Sequence, residues 1–159
     1  MKKLVAAVIV IAMGIALVAC GSEPEDEKQA VYFDAPEYYF ITEDELQEKL
    51  GQYDSVEDWT FNNAYSMRTY TYGTKEFIYA MTTDGSYCLV RISLYDSIPY
   101  TNKDKLYELF NVKKTAVNDN GTVITMDVYG DVYKIQVQDY DEQYLKWTQI
   151  TYREGKQIF

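Results

Sequence analysis

Between Ser55 and Tyr95 the chain is cut into strand-length runs by residues that tolerate tight turns, and this punctuation constrains the fold most. The runs cover residues 55–61, 65–72, 76–82 and 87–95, and the breaks are Asn62-Asn63, Gly73-Thr74 and Thr83-Asp84-Gly85-Ser86. Breaks this short join neighbouring antiparallel strands, because Asn, Asp and Gly reach the left-handed dihedrals that hairpin turns need. Ahead of the runs, Thr42-Glu43-Asp44-Glu45 has the spacing of a capping box. The threonine hydroxyl accepts from the backbone of Glu45, and the Glu45 carboxylate reaches back. Leu46 and Leu50 then share one helical face, and Gly51 suits the stop.

The second half replays the order. Thr101 is expected to cap a helix carrying Leu106, Leu109 and Phe110, followed by strand-like runs at 113–117, 122–129, 132–138 and 144–152. Asp119-Asn120-Gly121 falls 57 residues after Asn62-Asn63-Ala64, and Tyr129-Gly130 falls 57 after Tyr72-Gly73. The expectation is a single α+β domain over 31–159, large enough for one core. It consists of two tandem units, about 41–95 and 101–153, each a helix followed by a four-stranded antiparallel meander. This order resembles the β-lactamase-inhibitor-like fold and, more loosely, the small outer-membrane assembly lipoproteins of the SmpA/OmlA family. The resemblance implies helices on one sheet face and a partner gripped by an aromatic-rich opposite face.

Alternate side chains of a strand point to opposite faces. The inward set expected beneath the helices is Met67, Thr69 and Thr71; Phe77, Tyr79 and Met81; Cys88, Val90, Ile92 and Leu94; Ile124, Met126 and Val128; and Tyr133, Ile135 and Val137. Cys88 then reads as a small buried hydrophobe. The opposite face would show Arg68, Tyr70, Tyr72, Ile78, Ala80, Leu89, Arg91 and Tyr95 from the first half. The second half would add Asp127, Tyr129, Lys134, Gln136 and Trp147. Tyr, Trp and Arg concentrate binding energy at interfaces, so Arg68, Tyr70, Tyr72, Arg91, Tyr95, Tyr129 and Trp147 form the candidate binding set. A purely structural role competes with this reading, since aromatics also pack well across a pleated surface. The segment 31–41 is a further competitor, able to fold back over the same face.

Chemistry-bearing patterns are sparse. Histidine is absent, which removes Cys–His and Ser–His–Asp nucleophilic systems and most zinc sites. Asp139, Asp141 and Glu142 lack the ligand spacing of a calcium loop. Glu57 with Asp58, or Glu76 near Arg91, would serve a carboxylate-dependent hydrolase only inside a cleft with matched separations. The expectation is therefore a chain without catalytic residues, metal or cofactor, with such a hydrolase as the rival. The 15 basic and 25 acidic residues give a net charge of −10, which opposes binding to nucleic-acid phosphates.

The amino-terminal end carries an address. Lys2 and Lys3 precede an uncharged run from Leu4 to Val18 that is shorter than a membrane-spanning helix needs and suits a secretory signal. Leu17-Val18-Ala19-Cys20 resembles the lipobox of bacterial lipoproteins. The resemblance implies a signal peptide over 1–19, cleavage before Cys20 and a lipid on the Cys20 thiol; two or more acyl chains hold a protein stably at a membrane. Cleavage leaves 13 basic against 25 acidic residues, a balance of −12. Residues 20–30 then read as an acidic, flexible tether, whose last ten residues reach roughly 35 Å when extended. The function expected is that of a lipoprotein anchored at the bacterial envelope, facing outside the cytosol and binding a protein or cell-wall partner. A glycan- or ligand-binding module is the alternative.

Overall fold

Hairpins form where the turn residues fall. Asn62 and Asn63 both adopt left-handed backbone, φ 50° and 55°, the dihedrals required at the two central positions of a turn closed here by the Ala64 N–H donating to the Phe61 carbonyl at 3.0 Å. They join β1 (Ser55–Phe61) to β2 (Tyr65–Tyr72). Gly73, at φ 58°, turns β2 into β3 (Lys75–Met81). In the next turn the Asp84 carboxylate accepts the Ser86 N–H at 3.1 Å, leading into β4 (Tyr87–Leu94). The capping box at the start of α1 (Glu43–Leu50) is complete: Thr42 Oγ1 accepts the Glu45 N–H at 3.2 Å, and Glu45 Oε2 accepts the Thr42 N–H at 2.9 Å. Leu46 is fully buried beneath it.

These coordinates belong to a computed structural model that describes residues 28–159. After β4 come β5 (Ile98–Pro99), the short helix α2 (Leu106–Leu109), β6 (Asn118–Asp119), β7 (Ile124–Asp127), β8 (Val132–Tyr140) and β9 (Tyr144–Tyr152). The expected pair of helix-plus-meander units is not what forms. All nine strands belong to one antiparallel sheet of order β1-β2-β3-β4-β9-β8-β7-β6, with β5 pairing β9 off this path. The joint is β4 against β9, which runs the two halves together without a boundary.

The second half also departs in detail. Residues 113–117 form no strand, and β6 is two residues long. Asp119 and Asn120 turn their carboxylate and amide oxygens onto the N–H groups of Gly121, Thr122 and Val123 at 2.8–2.9 Å, a local alternative to ladder bonds. Asn102, not Thr101, caps the 3₁₀ turn Lys103–Lys105, accepting the Asp104 N–H at 2.9 Å. The Thr101 N–H is donated at 2.8 Å to the side chain of Gln29. Gln29 is itself buried and donates to the carbonyls of Asn102 and Lys105, so the end of the expected tether is docked on the domain.

Cross-strand register fixes two faces. Val56, Tyr70, Phe77, Ile92, Ile150, Ile135 and Met126 lie opposite one another in one row across seven strands. This is the core face, covered by α1, α2 and the segment 33–38, which contributes buried Phe33, Ala35 and Tyr38. Each such large apolar side chain contributes about 1.5–3 kcal/mol on burial. On the other face, Ser55, Thr71, Glu76, Ser93, Gln149, Gln136, Thr125 and Asn118 make a polar row through all eight strands of the path. One wet face is the ordinary pattern for an antiparallel sheet.

A bulge in β4 breaks the alternation. Ile78 faces Arg91 while the adjacent Tyr79 faces Leu89, so Val90 is an extra residue, and it lies on the polar face beside Arg91. There it joins Met67, Ile78 and Ala80 in a second, smaller core with Trp59, Phe61, Cys88, Ile158 and Phe159. The 3₁₀ helix Arg153–Gln157 brings the last residues onto this cluster. The crossing demands glycine at 155, because a Cβ there would sit 2.4 Å from the Val90 carbonyl oxygen.

Gly155→Ala should lower stability by about 1–3 kcal/mol, since the obstacle is backbone. Urea denaturation checks this, and an unchanged midpoint would mean the segment does not lie against the bulge.

Candidate binding face

Three of the expected binding residues lie on the core face. Register puts Tyr70 opposite Phe77 and Arg68 opposite Tyr79, so the alternation in β2 runs one residue out of step with the expectation. Tyr70 meets Tyr79 and Tyr53 edge-on at 5.9 and 5.1 Å, and Tyr72 meets Phe77 at 5.7 Å. Burial, with the charge of Glu43 adding to it, pushes the Tyr70 phenol upward. Arg68 donates to both Asp58 oxygens at 2.6 and 3.0 Å, approaches Glu43 at 3.5 Å and lies 4.5 Å from the Tyr87 ring centre. Its hydrogen bonds to Asp58 raise its pKa further. That guanidinium is engaged within the chain. Met67 and Thr69, expected inward, are on the opposite face.

The structure does bring Arg91, Tyr95 and Trp147 together on the open face of β4, β9 and β8. Tyr95 and Trp147 stack at 6.0 Å with rings 19° apart, the offset geometry aromatic pairs favour. They stay 46% and 36% exposed, and the Tyr95 hydroxyl donates to Glu76 at 3.1 Å. Beneath them come Gln149 and Gln136, and then the row Arg91–Thr151–Lys134. Arg91 lies with its guanidinium carbon 3.3 Å from the Phe159 ring centre, and its Nε donates to Thr151 Oγ1 at 3.4 Å. Burial lowers its pKa to about 10, and no carboxylate among the described residues lies within ion-pair distance. Lys134 and Lys156 flank the Tyr133 ring at 5.5 and 5.0 Å.

Sequence reasoning placed Lys134 and Gln136 on this face without singling them out. It missed Lys156 and Phe159, which arrive through the return of the last segment; the apolar pair Ile158-Phe159 after Gly155 was the available signal.

Tyr129 stands apart, at the opposite end of β8 and β9 from Trp147. It occupies the β7–β8 loop with φ 57°, is 73% exposed and meets Tyr133 edge-on at 5.9 Å. With Pro36, Asn111, Lys113 and Asp131 it lines a cleft of about 490 Å³. Of the expected inward set, Val128 does pack against the main core from this loop, whereas Tyr133 falls at a second bulge, where β8 shifts register between Val132 and Lys134. The carboxylate pairs disperse: Glu57 and Asp58 alternate onto opposite faces, and Asp141 accepts the N–H groups of Gln143 and Tyr144 in its own turn. Cys88 lies not beneath the helices but in the smaller core of the open face, half-buried. Burial, then the charge of Glu154, raises its thiol pKa.

Cys20, the lipobox and the signal segment lie outside the described residues. No protein-family model, curated protein or solved structure matches this chain.

Tyr70→Ala and Tyr72→Ala should each cost about 2 kcal/mol or more in chemical denaturation, whereas Tyr95→Ala and Trp147→Ala should stay within about 1 kcal/mol of the parent. The reverse order would refute the assignment of faces. Cys88 should label slowly at pH 7 and faster above pH 9 or on unfolding, because a raised pKa leaves little thiolate at neutrality. Rapid labelling of the native chain at pH 7 would contradict the packing.

Proposed function

We propose that this protein is a non-catalytic binding module, lipid-anchored through Cys20 at a bacterial envelope, which contacts another macromolecule through the open face of β4, β9 and β8. One observation carries the reading: a stacked, solvent-exposed Tyr95–Trp147 pair shares that face with Arg91, a half-buried cation lacking a carboxylate partner among the described residues. Aromatics and arginine left open on a rigid sheet have the composition of a contact surface. The tyrosines that first suggested such a surface, Tyr70 and Tyr72, are not part of it. The anchor reading rests on Leu17-Val18-Ala19-Cys20.

Cys20→Ala should shift the protein from the membrane to the soluble fraction of native cells, and continued retention would refute the anchor. A photo-crosslinking amino acid at position 147 should give adducts in intact cells, while the same probe at position 70 gives none. Adducts at 70 alone would place the contact elsewhere.

A further inference from the structure

The chemistry of the ligand follows from how the open face is arranged; the argument rests on the reading of that face as the binding site. Three cross-strand rows are stacked along β4, β9 and β8. Tyr95 and Trp147 form one end, Ser93, Gln149 and Gln136 the middle, and Arg91, Thr151 and Lys134 the other end. Four residues separate the end rows, roughly 13 Å along the strands.

A protein partner is held by apolar anchors at the centre of its interface, ringed by polar residues. Here the order is inverted. The ligand-facing centre is amide, from Gln149 and Gln136, because Ser93 is buried, and the aromatic and cationic groups stand at the ends. Glutamine side chains both donate and accept, which matches a ligand dense in hydroxyl groups. A Gln138 amide within 3.4 Å of Gln149 Oε1 extends this row. The exposed tryptophan and tyrosine present large apolar rings with polar tips, suited to the C–H face of a sugar.

The charge pattern specifies the rest. Elsewhere in the domain several cations are matched: Lys49 with Glu37 at 2.6 Å, Lys75 with Asp96 at 2.9 Å, Lys103 with Asp119 at 2.7 Å, Lys146 with Asp141 at 3.0 Å and Arg153 with Asp131 at 3.2 Å. On the open face, Lys134 reaches Asp127 only at 3.9 Å, and neither Arg91 nor Lys156 has an ion pair among the described residues. The Phe159 ring covers one side of the Arg91 guanidinium and so fixes its plane in advance, which reduces the ordering cost of binding. A guanidinium held this way presents an N–H edge to an oxyanion, either carboxylate or phosphate.

We infer that the open face of β4, β9 and β8 binds an anionic polysaccharide, with sugar rings against Trp147 and Tyr95, hydroxyls at Gln149 and Gln136, and acidic groups at Arg91 and Lys134. A chain of net charge −10 repels polyanions in general, so binding of one would report a specific site.

The test titrates the full chain in detergent micelles, by calorimetry, with four polymers: polygalacturonate, phosphorylated dextran, neutral dextran and polyglutamate. At least one of the first two should bind tenfold or more tighter than dextran and polyglutamate; which one does so assigns carboxylate or phosphate as the recognised group. Lys134→Gln and Trp147→Ala should each weaken that binding at least fivefold with unchanged thermal melts. Three results would overturn the inference: neither acidic polymer exceeding dextran, polyglutamate binding equally well, or both variants retaining full affinity. If crosslinks form at position 147 while neither acidic polymer binds, the face is a contact surface and the glycan assignment alone is wrong.

Discussion

The pairing of β4 with β9 is the constraint on which the rest of the structure depends. Without it, each half would end in a strand presenting a row of unbonded N–H and C=O groups, a template for association. Register across this joint sets Ile92 against Ile150 and Leu94 against Thr148, and each pair continues a row begun in one half and completed in the other. The apolar row from Val56 to Met126 exists only because that joint is in register. A slip of one residue would carry every side chain of one half to the wrong face. The true edges lie far from the joint and are blunted: β1 carries Glu57 and Asp58 at its middle, and β6 is two residues long.

The bulge at Val90 decides where the open face is covered and where it is left wet. Because Val90 and Arg91 share that face, one residue is buried under the returning 153–159 segment while its neighbour stands at the segment's margin. Gly155 permits the close crossing, and Phe159 reaches far enough to lie on the Arg91 guanidinium. The half of the sheet nearest β1 thereby becomes a second core. The half formed by β4, β9 and β8 remains polar, with Tyr95 and Trp147 exposed and the smaller Ser93 and Thr151 buried between their neighbours.

What could be seen in the sequence was local. The capping box at Thr42 and Glu45 and the turn at Asn62-Asn63 depend on residues within a few positions of one another, and both formed as expected. Alternation sufficed in β7 and β8, where Ile124, Met126, Ile135 and Val137 contrast with polar neighbours and all face the core. It failed in β2, where Met67, Thr69 and Thr71 alternate with Arg68, Tyr70 and Tyr72, because either set can pack against a pleated surface. It failed again in β4, since nothing local announces an inserted residue that reverses the parity of Cys88 and Val90 relative to Ile92 and Leu94. The tandem layout failed for a longer-range reason. Turn spacing reports which strands are joined by hairpins but is silent on a pairing between residues about sixty positions apart, as for Arg91 and Thr151.

The contrast between Arg68 on β2 and Arg91 on β4, with β3 between them, supports the proposal that one is structural and the other is open to a ligand. Removing a cation from water requires compensation by a partner charge or by hydrogen bonds. Arg68 receives it in full from Asp58, with Glu43 close by, and its pKa rises. Arg91 is more deeply covered yet has only a ring face and one long hydroxyl contact, and its pKa falls to about 10. At neutral pH it is still charged, so the solvation it has lost is not made good within the described domain. An oxyanion delivered to its free edge would restore that balance, and the same oxyanion would gain little at Arg68, whose donors are already occupied. On the proposed reading, the asymmetry would direct acidic groups to one end of the open face and leave the stacked aromatics at the other end for the uncharged part of the same ligand.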